Sequence, residues 1–314
     1  MFSNDQLARP ALAVAAEHDG RHVLRDVPNA RESVLYALSL PDEGLSLFAY
    51  TWMHRDQTAG SAIAVFGPGV GDRALQKRML HVDITADMNF GDWTVGGLHL
   101  QSDLAFQRAR LSFSSEKVAL DLAFEAYHPP YAYSTHPRGC PPFAADDRTE
   151  QSGRGQGVLR LPDREIRFDC AAHRDHSWGT RDWKAMQHHK WLHAQIADDV
   201  SVHFWELHAI GRTEIRGYVF KDNVMAEIAG VDFSFDYVGK MEPTAFEAVI
   251  VDELGRRTDL SAQVYAQLAI TSDPTYTMNE STGRAKIDGR DAVVWLEMAW
   301  PTDYRDYIGT AGPY

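Results

Sequence analysis

The sequence predicts an all-β protein. Short segments in which apolar and polar residues alternate recur along most of the chain, and turn-forming Gly, Pro and Asp residues separate them. Segments with a helical period are almost absent, and residues 183–188 are expected to form no more than one helical turn. Short strands at a spacing of about 8–12 residues are typical of β-sandwiches and β-barrels, so we expect one of these architectures.

The strands of the N-terminal half begin shortly after residue 30. The preceding residues carry little pattern and are expected to form an arm or a short helix. Two β-rich segments flank a Pro-Asp-Glu-Gly turn, which predicts a hairpin. The predicted strands are 33–40, 45–52, 93–101, 109–114 and 118–127.

A stiff segment and a linker follow these strands. Residues 127–142 contain five prolines and three tyrosines, and proline cannot donate to a strand ladder. Residues 146–156 are polar and contain glycine, as linkers do. We therefore predict a domain boundary near residue 150, with an N-terminal domain of residues 1–150 and a C-terminal domain of residues 151–314. The alternative is a long loop inside one domain.

Strands resume in the C-terminal half. Two of them are separated only by Asp198 and Asp199, which predicts a hairpin with a two-residue turn. The predicted strands are 157–161, 165–171, 190–197, 200–209, 213–221, 223–231, 245–252, 261–271 and 292–300.

The composition excludes several classes of function. The chain of 314 residues has 31 basic and 44 acidic side chains, a formal net charge of −13, so its surface repels nucleic acid and we expect no nucleic-acid partner. No window approaches 18 apolar residues, so no membrane insertion is expected. Cys140 and Cys170 lack a CxxC spacing and are expected to be free thiols in a reducing compartment, which favours the cytoplasm. The pattern does not indicate an oligomeric state.

The densest group of reactive side chains is the segment 173–183, His-Arg-Asp-His-Ser-Trp-Gly-Thr-Arg-Asp-Trp. The segment follows an alternating strand, so we expect it at a barrel rim. A buried Asp175 can act as a general acid or base and can set the tautomer of the adjacent His176. Trp178 supplies a flat apolar wall, and Arg181 is expected to brace the segment through an ion pair with Asp182. The alternative is a packed plug between domains in which every charge is satisfied.

The hairpin of residues 190–209 predicts a ligand cavity. If Ala197 faces Val200, one face of the hairpin mixes aromatic rings with proton carriers, which suits a pocket that holds a ligand through a few polar groups. The alternative is a solvated face, as on many antiparallel sheets. The residues of this predicted face are His189, Trp191, His193, Gln195, Val202, Phe204, Glu206 and His208.

Metal-binding and phosphate-binding motifs are not found. Three histidines share the predicted hairpin face, but no carboxylate stands at a set spacing from them and no HExxH motif occurs. The glycine-rich residues 67–71 lack the lysine of a phosphate-binding loop, and there is no GxSxG elbow for a nucleophilic serine. We therefore expect no metal ion in the site.

The run from Cys170 to Trp183 resembles the hydroxyneurosporene synthase / carotenoid 1,2-hydratase superfamily, the AttH-like proteins. It is most similar to the bacterial branch with an Arg-Asp-His-Ser-Trp-Gly-x-Arg-Asp-Trp signature, here residues 174–183. The resemblance implies two packed lipocalin-like antiparallel β-barrel domains with a ligand pocket around the signature. It also implies that no organic cofactor is needed.

Known members of this superfamily include carotenoid hydratases, kievitone-type hydratases and fungal pericyclases. In the carotenoid hydratases a His-x-Trp pair and a downstream Tyr-x-Asp pair are implicated in protonating an alkene. The first pair matches His176 and Trp178. The second pair is not matched, because residues 203–206 read His-Phe-Trp-Glu, with Glu206 as the nearest carboxylate. The resemblance therefore favours acid–base chemistry on an apolar ligand over carotenoid hydration itself.

These observations together predict a cofactor-independent lyase (hydratase) or isomerase that acts on a hydrophobic small molecule such as a terpenoid, steroid or polyphenol. Asp175 or Glu206 is expected to move the proton, and His176 to orient or share it. Two alternatives stay open: a non-catalytic carrier of an apolar metabolite, and a pericyclase whose shape alone folds the substrate. The expected substrate-binding residues are Trp178, Arg181, Trp191, His193 and Phe204.

Overall fold

The computed structural model describes residues 14–311, without the side chains of residues 272 and 273. Most of this range is β-strand, and the strands pair antiparallel, so the predicted all-β fold is confirmed. The described chain divides into two compact units, one ending at Asp182 and the other beginning at Trp183.

The first unit is an antiparallel sheet of eleven strands. Its strands are β1 (Ala30–Leu40), β2 (Leu45–His54), β3 (Thr58–Phe66), β4 (Leu75–Asp83), β5 (Trp93–Val95), β6 (Leu98–Ser102), β7 (Arg108–Ser114), β8 (Ala119–Ala126), β9 (Tyr131–Ala132), β10 (Asp147–Arg160) and β11 (Glu165–Thr180). Their order across the sheet is β4-β3-β2-β1-β11-β10-β8-β7-β6-β5, with β9 also paired to β10. Strand β11 therefore lies between β1 and β10, far from either end of the sheet.

One face of this sheet forms the core of the first unit. Val34, Tyr36 and Leu38 alternate along β1 on that face and are all buried. The predicted hairpin of β1 and β2 is present, and Gly44 takes a left-handed conformation (φ 63°) in its turn, which glycine adopts at no steric cost. Apolar side chains of β7 and β8, among them Leu111, cover the other half of the core.

Strand β10 carries three alternate glycines on its core face, Gly153, Gly155 and Gly157. A methyl group added to Gly157 would lie 1.9 Å from the carbonyl oxygen of Asp121 on β8. That oxygen is part of the backbone, so it cannot move aside unless the strand shifts. The glycines therefore allow β8 to approach β10 closely.

We expect Gly157→Ala to lower the free energy of unfolding by about 2 kcal/mol, because overpacking a tight site forces the backbone to move. Gly230→Ala is the control, since no atom lies within 4 Å of the added methyl group there, and its effect should stay within about 0.5 kcal/mol. Urea unfolding of both variants measures the difference. Equal effects would contradict the close approach of β8 and β10.

The division after Asp182 differs from the boundary near residue 150 predicted from the sequence. Strands β10 and β11 pair with β8 and β1, so residues 147–180 belong to the first sheet. The proline-rich residues 127–142 connect β8 to β10 and contain only the short strand β9. Proline interrupts a ladder but does not stop the chain from returning to the same sheet, so the composition there indicates a loop inside the unit.

The second unit is a closed barrel of eight strands. Its strands are β12 (Met186–Ile196), β13 (Val200–Ala209), β14 (Arg212–Lys221), β15 (Val224–Val238), β16 (Glu242–Asp252), β17 (Arg257–Asp273), β18 (Tyr276–Ile287) and β19 (Arg290–Pro301). Each strand pairs with the next, and β19 pairs with β12 to close the barrel. Leu192, Phe204 and Ile250 are among the apolar residues of its core. Helix α1 (Thr302–Ala311) follows, and across residues 14–311 no helical segment has the length and apolarity to span a bilayer.

The turn between β12 and β13 corrects the predicted register. Ile196, and not Ala197, pairs with Val200, so the turn contains three residues instead of two. Ala197 has a positive φ of 40° in this turn. Such a conformation is uncommon for a residue other than glycine, so it could not be predicted from the residue types in the turn.

The predicted hairpin face was therefore wrong. A shift of one residue turns every side chain of one strand to the opposite face relative to its partner. Trp191 and His193 share a face with Trp205, which pairs with Trp191. Phe204 and Glu206 lie on the other face, where Phe204 joins the barrel core.

Candidate active site

The signature segment lies in the middle of the first sheet. Residues 174–178 lie within strand β11. The sequence predicted a position after the end of a strand, at the rim of a barrel. Successive side chains of a strand point to opposite faces, so Arg174, His176 and Trp178 face the core and Asp175 faces away from it.

His176 is held by a buried carboxylate from the neighbouring strand. Its Nε2 lies 2.8 Å from Oε1 of Glu32, and both side chains are fully buried. Burial lowers the pKa of His176, although the hydrogen bond to Glu32 opposes this effect. Burial alone would raise the pKa of Glu32, but hydrogen bonds from His176 and His22 outweigh it and hold that pKa below its usual value. At neutral pH the pair is therefore a Glu32 carboxylate that accepts a hydrogen bond from the neutral imidazole of His176.

Glu32 also holds a second histidine. It accepts hydrogen bonds from the backbone N–H of His22 (2.9 Å) and from Nδ1 of the same residue (2.7 Å). Nε2 of His22 in turn lies 3.0 Å from Nδ1 of His18, which is partly exposed. The four side chains His18, His22, Glu32 and His176 thus form a continuous hydrogen-bonded chain from the surface to the interior of the unit.

The other ring nitrogen of His176 is unoccupied. Within residues 14–311, its Nδ1 is buried and has no hydrogen-bond partner. The ring of Phe90 meets the imidazole edge-on, with centroids 5.3 Å apart, and Trp178 lies at 5.1 Å. A neutral imidazole whose Nε2–H donates to Glu32 has its lone pair on Nδ1, and such a nitrogen can act as a general base.

Trp178 orders the two surface-side histidines by stacking. The His22 ring lies parallel to the Trp178 ring, with centroids 3.8 Å apart and an interplanar angle of 9°. His18 stacks at 5.3 Å from the same tryptophan. The aromatic wall predicted for Trp178 therefore packs on the hydrogen-bonded histidines.

A cavity of about 330 Å³ adjoins this chain of side chains. His22 lines it together with apolar residues that include Leu24, Met53 and Met88. The guanidinium of Arg21, also in the wall, is already bonded to backbone oxygens of residues 85 and 88 and to the side chain of residue 57. The cavity is at the small end of the range for ligand pockets and is mixed in polarity.

Asp175 takes part in a separate network on the opposite face of β11. Its carboxylate forms an ion pair with Arg148, which also bonds Glu150 at 2.6 Å, and Glu150 lies 2.8 Å from His173. Burial raises the pKa of Asp175 to about 7, although Arg148 opposes this effect. Arg181, on the same side, donates to Ser177 at 2.6 Å. The partner of His176 is therefore Glu32, and not the adjacent Asp175 as the sequence suggested.

The remaining predicted site residues belong to the barrel unit. Glu206 forms an ion pair with Lys190 and a hydrogen bond to His208 (2.8 Å). Burial acts to raise its pKa, but these bonds outweigh it and lower the pKa. Trp191 and His193 meet edge-on at 5.2 Å on the other face of the strand. Of the eight predicted residues, only His176 and Trp178 thus belong to the histidine–carboxylate chain.

Sequence reasoning missed His18, His22 and Glu32. The two histidines are four residues apart in a stretch with little hydrophobic pattern, and Glu32 stands at the start of a strand. The spacing of two histidines is the only local signal. Their contact with His176 depends on the pairing of β1 with β11, which the sequence does not reveal.

Two imidazoles and a carboxylate are also a donor set that transition metals accept, and His22, Glu32 and His176 present one. Their nitrogen–oxygen separations of 2.7 and 2.8 Å are hydrogen-bond distances. An ion with bonds of about 2.1 Å to each donor would have to push these atoms apart, so the geometry fits proton sharing better. The predicted grouping of His189 and His193 with His208 was wrong, because His208 lies on the other face.

Fold and site together define an all-β protein of two antiparallel units with a buried histidine–carboxylate chain beside a cavity. Over residues 15–302 the chain matches the family described as Domain of unknown function (DUF7064), and it belongs to that family. No curated protein matches the chain.

Solved structures show the same fold at low sequence identity. A crystal structure from Nitrosomonas europaea with the provisional designation AttH has a TM-score of 0.68 and 13% identity, over 93% of this chain and 98% of its own. The crystal structure of CghA has a TM-score of 0.60 and 12% identity, over 87% of each chain. CghA with Sch210972 gives the same TM-score and identity, over 87% of this chain and 88% of its own. At these identities the neighbours show that this chain shares its fold with them.

Proposed function

We propose that this protein is an enzyme that moves protons on a hydrophobic small molecule, as a lyase (hydratase) or an isomerase, with His176 as the general base. The observation that carries the proposal is the buried pair of Glu32 and His176. The carboxylate holds Nε2, and Nδ1 is left with its lone pair and without a partner within residues 14–311.

Each member of the hydrogen-bonded chain has a role in this reaction. When Nδ1 of His176 takes a proton, the imidazole becomes a cation, and the adjacent Glu32 carboxylate stabilises it, as the carboxylate does in other acid–base dyads. The contacts from Glu32 to His22 and from His22 to His18 offer a route by which the proton can exchange with solvent. None of these steps requires an organic cofactor.

The surroundings of the pair favour an apolar substrate. Phe90 and Trp178 flank His176 with apolar rings, while the cavity beside His22 has both apolar lining residues such as Leu24 and polar ones such as Asp87. The fold neighbour CghA has been crystallised with Sch210972, which supports a ligand site in this fold. A terpenoid, steroid or polyphenol is the class of substrate we propose.

The proposal changes the acid–base partner inferred from the sequence. Asp175 faces away from His176 and pairs with Arg148, so we assign the orienting carboxylate to Glu32. Glu206 lies in the barrel unit and is paired with Lys190. We propose that both of these predicted acids belong to polar networks of their own units and take no part in the reaction.

Ligand extraction tests the proposal. Wild type, His176→Asn and the control His99→Asn, at a half-buried histidine of the same unit, are isolated from the cells that naturally make the protein. The retained compounds are identified by native mass spectrometry and chromatography. We expect product in wild type and in the control, and in His176→Asn a substrate that differs by one water or is an isomer. The same unaltered compound in all three would contradict the enzyme and favour the carrier. Product that persists in His176→Asn but is lost in Trp178→Ala would favour a pericyclase.

A further inference from the structure

Three polar side chains lie side by side on the core face of the first sheet. Arg174 on β11 pairs with Tyr36 on β1 and with Gln151 on β10, so the three form one row across adjacent strands. All three are at most 3% exposed. His176 stands two residues further along β11 on the same face.

Each residue of this row has a polar atom without a partner. Within residues 14–311, the hydroxyl of Tyr36, Nε of Arg174 and Oε1 of Gln151 are buried and make no hydrogen bond, as is also true of Nδ1 of His176. Buried polar groups in native proteins are nearly always hydrogen-bonded, and exceptions that cluster call for an explanation. Four such atoms on neighbouring positions point to a polar group of a ligand.

Other polar atoms of Arg174 and Gln151 are already bonded within the protein. Arg174 forms an ion pair with Asp19, which also accepts from the backbone of Phe106 (2.8 Å). The amide nitrogen of Gln151 donates to the backbone oxygens of Phe106 (2.9 Å) and His128 (2.7 Å). The row therefore presents two donors, the Tyr36 hydroxyl and Arg174 Nε–H, and one acceptor, Gln151 Oε1.

We propose that this row binds the oxygen of a carbonyl group, so that the substrate class is a hydrophobic ketone or enone with a proton on the carbon beside the carbonyl. The inference rests on the proposed function of His176 as a base. Asp19 already neutralises Arg174, so the row favours a neutral oxygen over a carboxylate or phosphate.

The arrangement balances a complete proton transfer. Nδ1 of His176 takes the α-proton, the electrons of the C–H bond form the C=C bond of an enolate, and the carbonyl π electrons move to oxygen. Tyr36 and Arg174 donate hydrogen bonds to that oxygen, where negative charge develops. The proton then returns from His176 to the same carbon or to the far carbon of an enone. Gln151 can accept the O–H of an enol form.

A matched pair of probes tests the carbonyl site. 1-Tetralone and tetralin have nearly the same shape and differ by the ketone oxygen. We expect wild type to bind the ketone at least 10-fold more tightly, and Tyr36→Phe to reduce this preference below 3-fold while the affinity for tetralin stays unchanged. The carbonyl stretch of bound 1-tetralone should lie at lower frequency in wild type than in the variant, because a donor is lost.

Tyr50→Phe is the control. Tyr50 lies on the opposite face of the same sheet, where its hydroxyl is 2.7 Å from Arg31, so its removal should leave the preference intact. Tyr36→Phe should unfold at the same or a higher urea concentration than wild type, because it removes a buried hydroxyl that has no partner. The inference would be overturned if wild type bound the two probes equally or bound neither. It would also be overturned if the preference for the ketone survived in Tyr36→Phe, or if that variant were less stable than wild type.

Deuterium exchange separates this inference from the proposed function. In D₂O, wild type should accelerate the exchange of the α-protons of 1-tetralone. His176→Asn should keep the preference for the ketone and lose the acceleration. Ketone preference without exchange in wild type would leave the carbonyl site in place and contradict the base. Exchange in wild type without a preference for the ketone would support His176 as the base and contradict the carbonyl site.

Discussion

Glu32→Gln is expected to lower the free energy of unfolding by about 3 kcal/mol and to reduce turnover roughly 10²- to 10⁴-fold. The carboxylate is fully buried and accepts hydrogen bonds from His22 and His176. Each hydrogen bond to a buried charged group contributes about 1.5–3 kcal/mol, and loss of the carboxylate that orients a catalytic histidine costs up to about 10⁴-fold in turnover. Urea unfolding measures the first effect, and turnover of the substrate identified by ligand extraction measures the second.

Glu43→Gln is the matched control for this variant. Glu43 is exposed in the turn after β1, so the same change there should alter stability by less than about 0.5 kcal/mol and leave turnover unchanged. Full turnover in a folded Glu32→Gln protein would contradict the role of Glu32. Stability should also fall in acid for wild type, since the pKa of Glu32 is lowered in the folded state and protonation therefore favours unfolding.

Asp175 should have the opposite dependence on pH. Burial raises the pKa of this carboxyl in the folded protein to about 7, from 3.8. Between these two values the unfolded chain is ionised while the folded protein keeps the proton, so the contribution of Asp175 to stability falls as the pH rises. The shift corresponds to about 4 kcal/mol.

Comparison with Asp175→Asn isolates this contribution, because the amide mimics the neutral acid at every pH. We expect the free energy of unfolding of wild type, relative to that of Asp175→Asn, to fall by about 4 kcal/mol between pH 4 and pH 8. Asp163→Asn, an exposed control, should show a difference that is flat with pH. If the wild-type value instead rises with pH relative to Asp175→Asn, the ion pair with Arg148 outweighs burial and Asp175 is ionised.

The strand pattern could be predicted from the sequence because it is local. Alternation predicted strands in segments such as 33–40 and 45–52, and the turn residues between them predicted the hairpin. The register of the later hairpin could not be predicted in the same way. Whether two or three residues separate β12 from β13 depends on the positive φ of Ala197, which the residue type does not indicate.

The site was only half predictable for a different reason. His176 and Trp178 stand close together in a distinctive motif, so they drew attention from the sequence alone. Glu32 lies 144 positions before His176, and only the pairing of β1 with β11 brings the two together. Asp175 illustrates the opposite error, since adjacency in a strand places two side chains on opposite faces.

The central place of β11 has a consequence for how the first unit folds. Without β11, the pairings divide the sheet into β1–β4 on one side and β5–β10 on the other, because among the strands of residues 14–311 only β11 joins β1 to β10. The signature is thus carried by the last strand of the unit to leave the ribosome. Until β11 pairs, β1 and β10 are unpaired edge strands of the two halves. Pairings between residues so distant along the chain are slow to form. His176 and Glu32 come together in the same event that completes the sheet, so a nascent chain acquires the acid–base pair and its closed sheet at once.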